Sequence, residues 1–332
     1  MNKFLFSISI IFFGLATGQF IKHMLLHKAA KWEKEKASYA LEGAENIVKR
    51  MQLFAMFGLN PIVTFGAFWV VKLDDLRYVA LPLVGAAAII SGGTLAYIVS
   101  RAMGHKKYQT GAFFCSGAFS NLGSFGGLFC YIFFGEASYA LASMYRLLEE
   151  FLYLLVGYPI AKLHGKPAEK DHEQSALIRI LRDPVFQIYI TSISAGLILN
   201  FSGIGRPSFF SPLSAALIPF SSFSLVTSIG YRLKFSAIRL YLKECLAISG
   251  IKFAAVPAIA LTISYAIGLD TLQDGLVVKV ILVMSSMPPA FHSLIPPQLY
   301  GLDADMANSI WLFCTGMLVL VLPVLYTLQG LL

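Results

Sequence analysis

Ten stretches of about 20 mostly apolar residues leave this chain few alternatives to a bundle of membrane-crossing α-helices. Hydrophobic residues make up 57% of the 332 residues and charged residues only 13%, which excludes a soluble domain with a polar surface. The sequence therefore predicts an all-α membrane protein with ten transmembrane helices. The predicted spans are 4–26, 51–71, 77–100, 109–134, 137–161, 184–203, 208–230, 245–268, 275–299 and 306–330.

The first span also has features of a cleavable signal peptide. Lys3 precedes a short apolar run, and the small residues Ala16 and Gly18 follow it. Apolar character nevertheless continues to Leu26, so we interpret the stretch as a membrane helix.

Charge distribution predicts the orientation of the chain. Most of the 26 lysines and arginines lie in the odd-numbered loops, which are 22–50, 101–107, 162–182 and 232–243. Because cytoplasmic loops are enriched in these residues, both termini are predicted on the non-cytoplasmic side of the cell membrane. The basic residues are spread over short loops, so the net charge of +8 does not indicate a nucleic-acid surface. Within the first loop, residues 28–50 are expected to form an interfacial amphipathic helix or a solvated continuation of the first helix.

The predicted spans divide into two equal halves. A polar cytoplasmic linker at 163–182 separates five spans in 1–162 from five in 183–332. Because five is odd, the second half must enter the membrane in the opposite direction to the first. The count therefore predicts two inverted five-helix repeats, the plan of many secondary transporters.

The fourth span of each half contains residues that interrupt a helix. Glycine costs about 1 kcal/mol relative to alanine in a helix interior and proline about 3 kcal/mol. Freed backbone groups must then face protein or a water-filled cavity, and paired interruptions of this kind indicate a binding site. Small residues can also serve only to pack two helices closely. The candidate substrate-binding residues are Asn121, Gly123, Gly126 and Gly127 in the fourth span, and Ser286, Met287, Pro288 and Pro289 in the ninth.

An interrupted helix favours an anion at its site. The half-helix that begins inside the membrane directs unpaired N–H groups and a partial positive charge at the cavity, which suits a carboxylate. Asn121 adds a side-chain donor, and the glycines permit close backbone approach. Pro288 and Pro289 are expected at the start of the second half-helix of the ninth span, where an N–H is not needed.

Several motifs in order along the chain resemble the auxin efflux carrier family. The first crossover motif is matched by Asn121, Gly123 and Gly126, and the turn that follows by Phe134-Gly135-Glu136, whereas Leu128 stands where the family has proline. The resemblance implies two inverted repeats with crossed fourth and ninth helices, and transport of organic anions such as indole acetate or dicarboxylates. It leads us to expect spans 1, 2, 6 and 7 as a scaffold and the other six spans around the site.

Charged residues inside the predicted spans are candidates for coupling transport to an ion. Arg146 lies three and four residues before Glu149 and Glu150, so one acid can pair with it and the other is left to bind H⁺ or Na⁺. An ion network with Lys252 that locks two helices together is the alternative. Lys252 is equally suited to face an anion, and His292 is a candidate proton carrier.

The leading interpretation is a secondary transporter that moves a small organic anion by alternating access. The alternatives are a Na⁺-coupled symporter of the bile acid type, an intramembrane hydrolase and a solute receptor. No nucleotide-binding motif is present, and the four cysteines lack metal-ligand spacing, so neither cofactor nor metal is expected beyond Na⁺ or H⁺ as coupling ion. The expected partners are the organic anion and the lipid bilayer, with a homodimer left open.

Overall fold

The computed structural model describes residues 3–32, 34–165, 182, 184–232 and 238–330, and these residues form an all-helical protein. Their one isolated bridge between extended segments joins Ser120 and Pro289. The predicted linker at 163–182 lies largely outside the described residues. The α-helices are α1 Lys3–Ala29, α2 Lys34–Phe54, α3 Asn60–Val70, α4 Ala80–Ala102, α5 Lys107–Ala118, α6 Gly127–Phe134, α7 Glu136–Tyr145, α8 Glu149–Leu152, α9 Tyr158–His164, α10 Pro184–Phe201, α11 Phe210–Arg232, α12 Leu242–Gly250, α13 Val256–Ile267, α14 Leu276–Ser285, α15 Ile295–Tyr300 and α16 Ala304–Leu328.

Five helical stretches in the described residues are long and apolar enough to cross a membrane. They confirm the second, third, seventh, eighth and tenth predicted spans as candidate crossings, whereas the total of ten crossings and the inverted repeat stay predictions. The five are Lys36–Val70, Leu76–Ala102, Phe210–Tyr231, Ile238–Ile267 and Ala304–Leu328, and shorter apolar helices occupy Leu122–Phe134 and Phe186–Phe201.

Residues 28–50 do not continue the first helix, so that form of the prediction was wrong, whereas the interfacial amphipathic helix stays a prediction. α1 ends at Ala29, and α2 continues through the π-helical turn Ala55–Leu59 directly into α3. The polar segment from Lys34 is therefore helical and continuous with the second span. The stretch from Lys34 is rich in Ala, Glu and Lys, all strong helix formers, so nothing local ends the helix before the apolar run begins.

One compact unit consists of Met1–Val70 and Ile188–Lys234. It contains α1, α2, α3, α10 and α11, which correspond to predicted spans 1, 2, 6 and 7. In the last turn of α3, the carbonyl oxygens of Phe68 and Trp69 accept hydrogen bonds from Nδ2 of Asn200, at 3.1 and 3.0 Å. Such contacts pair carbonyl groups that a helix end leaves without helical donors.

The second compact unit consists of Val71–Gln187 and Phe235–Leu332. It contains α4 to α9 and α12 to α16, which are the six spans expected around the site. The grouping of the spans expected from the family resemblance is thus confirmed. Each unit draws helices from both halves of the chain.

The fifth span is interrupted, although the sequence predicts one helix over 137–161. α7 ends at Tyr145, residues 146–148 form a turn, and the helix resumes as α8 and the π-helical turn Tyr153–Gly157. Within the turn, the N–H of Glu149 donates to the carbonyl oxygen of Arg146 at 2.9 Å. The residues in the turn are good helix formers, so the interruption is a tertiary effect that local propensity does not reveal.

Candidate functional site

The fourth and ninth predicted spans are both broken near their centres, as the sequence predicts. α5 ends at Ala118, residues 119–121 are not helical, and the helix resumes as the π-helical turn Leu122–Gly126 and α6. α14 ends at Ser285, and helical structure resumes as the 3₁₀ turn Phe291–Leu294 and α15. The first interruption forms without a proline, since Leu128 lies inside α6.

The two breaks cross and pair through their backbones. The N–H of Asn121 donates to the carbonyl oxygen of Pro288 at 2.8 Å, and the N–H of Ala290 donates to that of Phe119 at 3.0 Å. Buried backbone groups released from a helix need new partners. Each broken span supplies those partners to the other, so the extended pieces hold the crossing together.

Pairing across the break limits how many amides are left for a ligand, which corrects part of the sequence-based expectation. The amides of Asn121 and Ala290 are used in the crossing itself. The first helical bond of the resumed fourth span runs from the N–H of Gly126 to the carbonyl oxygen of Asn121, at 3.2 Å. The amides of residues 123–125 precede it and have no acceptor within their own helix.

The prolines of the ninth span do not lie where the sequence predicts. Pro288 and Pro289 are in the extended piece between the half-helices, where their missing N–H groups leave no donor unpaired. Pro296 and Pro297 instead occupy the second and third positions of α15. The start of the half-helix is therefore marked by the second proline pair, because an N–H is dispensable there.

Tyr153 fastens the break of the fourth span to the fifth. Its hydroxyl accepts the N–H of Ser120 at 2.8 Å and lies 3.1 Å from both the carbonyl oxygen of Ser120 and Oε1 of Glu149. The single hydroxyl proton can serve one of these two acceptors at a time. The Tyr153 side chain is 1% exposed, so the backbone of the break and a buried carboxylate share one phenol.

Lys252, in the eighth span, also contacts Ser120. Its side chain is fully buried, and Nζ donates to Oγ of Ser120 at 2.6 Å. No direct ion pair joins Lys252 to Glu149 or Glu150 in the described part of the chain. Hydrogen bonds through Ser120 and Tyr153 link Lys252 to Glu149 instead, so the predicted network exists without a direct ion pair. The turn at 146–148 directs Glu149 to Arg146 and Tyr153 instead.

Arg146 lies between Glu149 and the resumed helix of the fourth span. Its Nε is 3.0 Å from Oε2 of Glu149, in an ion pair whose N–H direction falls outside hydrogen-bond geometry. On its other side the guanidinium Nη1 occupies the space that a Cβ would take at Gly123. Of the two predicted acids, Glu149 pairs with Arg146 and is buried, whereas Glu150 is partly exposed.

Two buried polar side-chain atoms at the crossing have no hydrogen-bond partner in the described residues. They are Nδ2 of Asn121 and Oγ of Ser286. Asn121 is 5% exposed and Ser286 fully buried. A buried donor without an acceptor is costly, so these atoms mark places where a ligand atom would be stabilising.

The remaining predicted residues pack around the crossing. A Cβ at Gly126 would lie 2.7 Å from Sδ of Met284 and 3.4 Å from Cγ of Met287, and one at Gly127 would lie 3.2 Å from the ring of Tyr139. An alanine at 126 would therefore have to displace the flexible side chain of Met284. His292 lies in the 3₁₀ turn, with its ring centroid 6.5 Å from that of Tyr153.

Sequence reasoning missed two residues that organise the break. Ser120 begins the glycine-rich motif and forms hydrogen bonds with both Tyr153 and Lys252. Because serines are common in membrane helices, its presence in the sequence gave no signal. Tyr153 lies four residues after Glu149, a spacing that places side chains on one helix face and could have suggested the contact.

Metal chemistry has no evident location in the described part of the chain. All four cysteines are buried free thiols. Among the described residues, His, Cys, Asp and Glu side chains nowhere gather in groups of three that could hold a metal ion.

Comparisons with known proteins agree with this architecture. The family described as "Membrane transport protein" matches residues 59–326. A protein of Methanocaldococcus jannaschii named "Uncharacterized transporter" is 29% identical over 256 residues, which cover 74% of this chain and 78% of the relative. A second "Uncharacterized transporter", from Methanothermobacter thermautotrophicus, is 24% identical over 267 residues, which cover 79% of this chain and 83% of the relative. The broken, crossed spans and these matches together show that the chain is a multi-pass membrane protein of the membrane transport protein family, the auxin efflux carrier family.

Proposed function

We propose that this protein is a secondary transporter that binds a small organic anion, through a carboxylate, at the crossing of its fourth and ninth spans. The observation that carries the proposal is the buried Nδ2 of Asn121, at the start of the resumed helix, which finds no acceptor among the residues that the structure describes. We also propose that the chain crosses the membrane ten times in two inverted repeats and that it works by alternating access.

Two sources of positive potential meet at this start of the helix. The amides of residues 123–125 lack helical acceptors, and the N-terminal end of a helix carries a partial positive charge. The Arg146 guanidinium lies against Gly123 in the same turn. A cation beside a helix N-terminus is unfavourable on its own, so an anion between them would stabilise both. Asn121 would then donate to the same anion.

Helix lengths support placing this site deep in the membrane. The half-helix before the break has 12 residues and therefore spans about 18 Å, a little more than half of a hydrocarbon core of about 30 Å. Binding sites of secondary transporters formed by broken helices lie near the midplane. A site at this depth must open to each side in turn, so we infer alternating access of the unit that holds the crossing.

Asn121→Ala is expected to weaken carboxylate binding by about tenfold to a hundredfold, because one hydrogen bond to a charged group contributes about 1.5–3 kcal/mol. The measurement is a thermal-shift titration of the purified protein with acetate, succinate and indole-3-acetate. A ligand at 100 times its Kd should add about 2.7 kcal/mol of stability to the wild type.

Asn121→Asp is the matched variant, since it keeps the shape of the side chain but replaces the donor by an acceptor with negative charge. It should bind the probes no better than Asn121→Ala. Equal binding by the wild type and both variants would refute the assignment of the site. Binding that requires Na⁺ would instead support a symporter of the bile acid type.

A further inference from the structure

Lys252 is the most deeply buried charged side chain in the described residues. Its exposure is 0%, and it extends from the π-helical turn Ile251–Ala255 to Oγ of Ser120. In the same part of the chain, Glu149 is the other charged residue that is buried, and its ion-pair partner is Arg146. No described carboxylate lies within 4.0 Å of the Lys252 ammonium. Glu149 is already paired with Arg146, so the Lys252 ammonium has no buried carboxylate as an ion-pair partner among the described residues.

The ammonium lies at the negative end of a half-helix. α5 ends at Ala118, and its acceptor Ser120 is two residues further on. Because the N–H of Ser120 donates to Tyr153, the carbonyl of Ser116 does not receive the helical bond that would continue α5. Unpaired carbonyls and the macrodipole make a helix C-terminus a favourable place for a cation.

Broken spans of secondary transporters hold a coupling cation at such a place. Unwound carbonyls and the C-terminal end of a half-helix coordinate Na⁺ or H⁺ there, while the N-terminal end of the other half-helix faces the anionic substrate. In this chain the Lys252 ammonium, which is covalently part of the protein, lies at the C-terminal end of the half-helix, where other transporters bind the cation. Asn121 and Gly123 lie at the N-terminal end of the resumed half-helix, where other transporters bind the anionic substrate.

We propose that Lys252 is a resident cation that replaces a coupling ion, so that the organic anion binds at the crossing without Na⁺. The inference rests on the proposed function for its anion and adds the ion requirement. The Lys252 ammonium and the bound carboxylate attract each other, so the anion needs no external cation beside it. Removing the ammonium opens a space with hydroxyl and carbonyl ligands that an external cation can enter.

The first arm of the test needs no anion. The purified full-length protein in lipid nanodiscs is melted in NaCl, choline chloride and methylammonium chloride at equal ionic strength. The wild type should melt at the same temperature in all three salts. Lys252→Met should melt lower than the wild type in choline and recover in Na⁺ or methylammonium, because choline is too large for the vacated space. A wild type stabilised by Na⁺ relative to choline, or a Lys252→Met variant indifferent to all three cations, would overturn the proposal.

The second arm measures binding of acetate, succinate and indole-3-acetate. In choline, Lys252→Met should bind at least about tenfold more weakly than the wild type, with recovery in methylammonium. Unchanged affinity of the variant in choline would contradict the role of the ammonium. If the wild type binds none of the probes in any salt, the proposed function fails, and the anion-free melting series still decides the role of Lys252.

Lys279→Met is the matched control, since Lys279 is a partly exposed lysine in α14 of the ninth span. It should behave as the wild type in both arms, and a cation-dependent response in it would also count against the assignment to Lys252. Should Lys252→Met not yield folded protein, Lys252→Gln keeps a donor for Ser120 without the charge and gives the same comparison.

Discussion

Gly123→Ala should lower the affinity for carboxylates by about tenfold to a hundredfold, the loss expected when one charged hydrogen-bonding group leaves a site. The added Cβ would fall on Nη1 of Arg146, so the guanidinium has to leave the first turn of the resumed helix. Its ion pair with Glu149 is made through Nε and can persist when Nη1 turns away. The measurement is the thermal-shift titration with carboxylates.

Folding should change little in this variant, which separates it from a general packing defect. The displaced atom is the far end of a flexible side chain, and alanine is favoured over glycine in a helix by about 1 kcal/mol. We therefore expect the free energy of unfolding to change by less than about 1 kcal/mol. Gly316→Ala in α16 is the control, since a Cβ at 316 meets nothing within 4 Å. Unchanged anion affinity in Gly123→Ala would show that Arg146 has no part in binding.

Tyr153→Phe should destabilise the protein by about 2–4 kcal/mol. The substitution removes the only hydroxyl that pairs with the N–H of Ser120 and with Oε1 of Glu149 in the described residues, and both groups are buried. Each buried polar group left without its partner costs about 1–3 kcal/mol. Unfolding of the purified variant by denaturant or heat, compared with the wild type under the same lipid conditions, measures the effect.

Tyr145→Phe provides a matched comparison on the same span. Tyr145 is also 1% exposed, but its hydroxyl has no hydrogen-bond partner in the described residues. Removing a buried hydroxyl that makes no bond should be neutral within about 0.5 kcal/mol, or slightly stabilising. Equal destabilisation by the two substitutions would mean that the loss in Tyr153→Phe is a packing effect and that the phenol does not hold the break.

The helical bundle and the two breaks could be predicted because their causes are local. A run of apolar residues is long enough to cross a bilayer or it is not, and the glycines around Asn121 and the prolines after Met287 weaken a helix wherever they occur. The paired position of the two interruptions could also be predicted, since it follows from the order of the spans. The start of α15 was misplaced because two proline pairs occur within ten residues and local rules do not choose between them.

The contacts that organise the site could not be predicted in the same way. Ser120 meets Tyr153 from 33 residues away and Lys252 from 132 residues away. The turn that carries Arg146 contains no residue that breaks helices, so its interruption of the fifth span had no local signal. Glu149 was correctly chosen as a partner of Arg146, because a spacing of three lies within one helical turn.

Apolarity, helix-breaking residues and charge spacing are properties of neighbouring residues, and from them followed the membrane class, the broken spans and the candidate anion site. Which backbone groups pair across the breaks, where the freed amides find acceptors, and whether Lys252 faces a carboxylate or a serine depended on packing between distant segments. The physical reason is that a buried polar group must be satisfied by whatever lies beside it, and only the tertiary structure determines that neighbour.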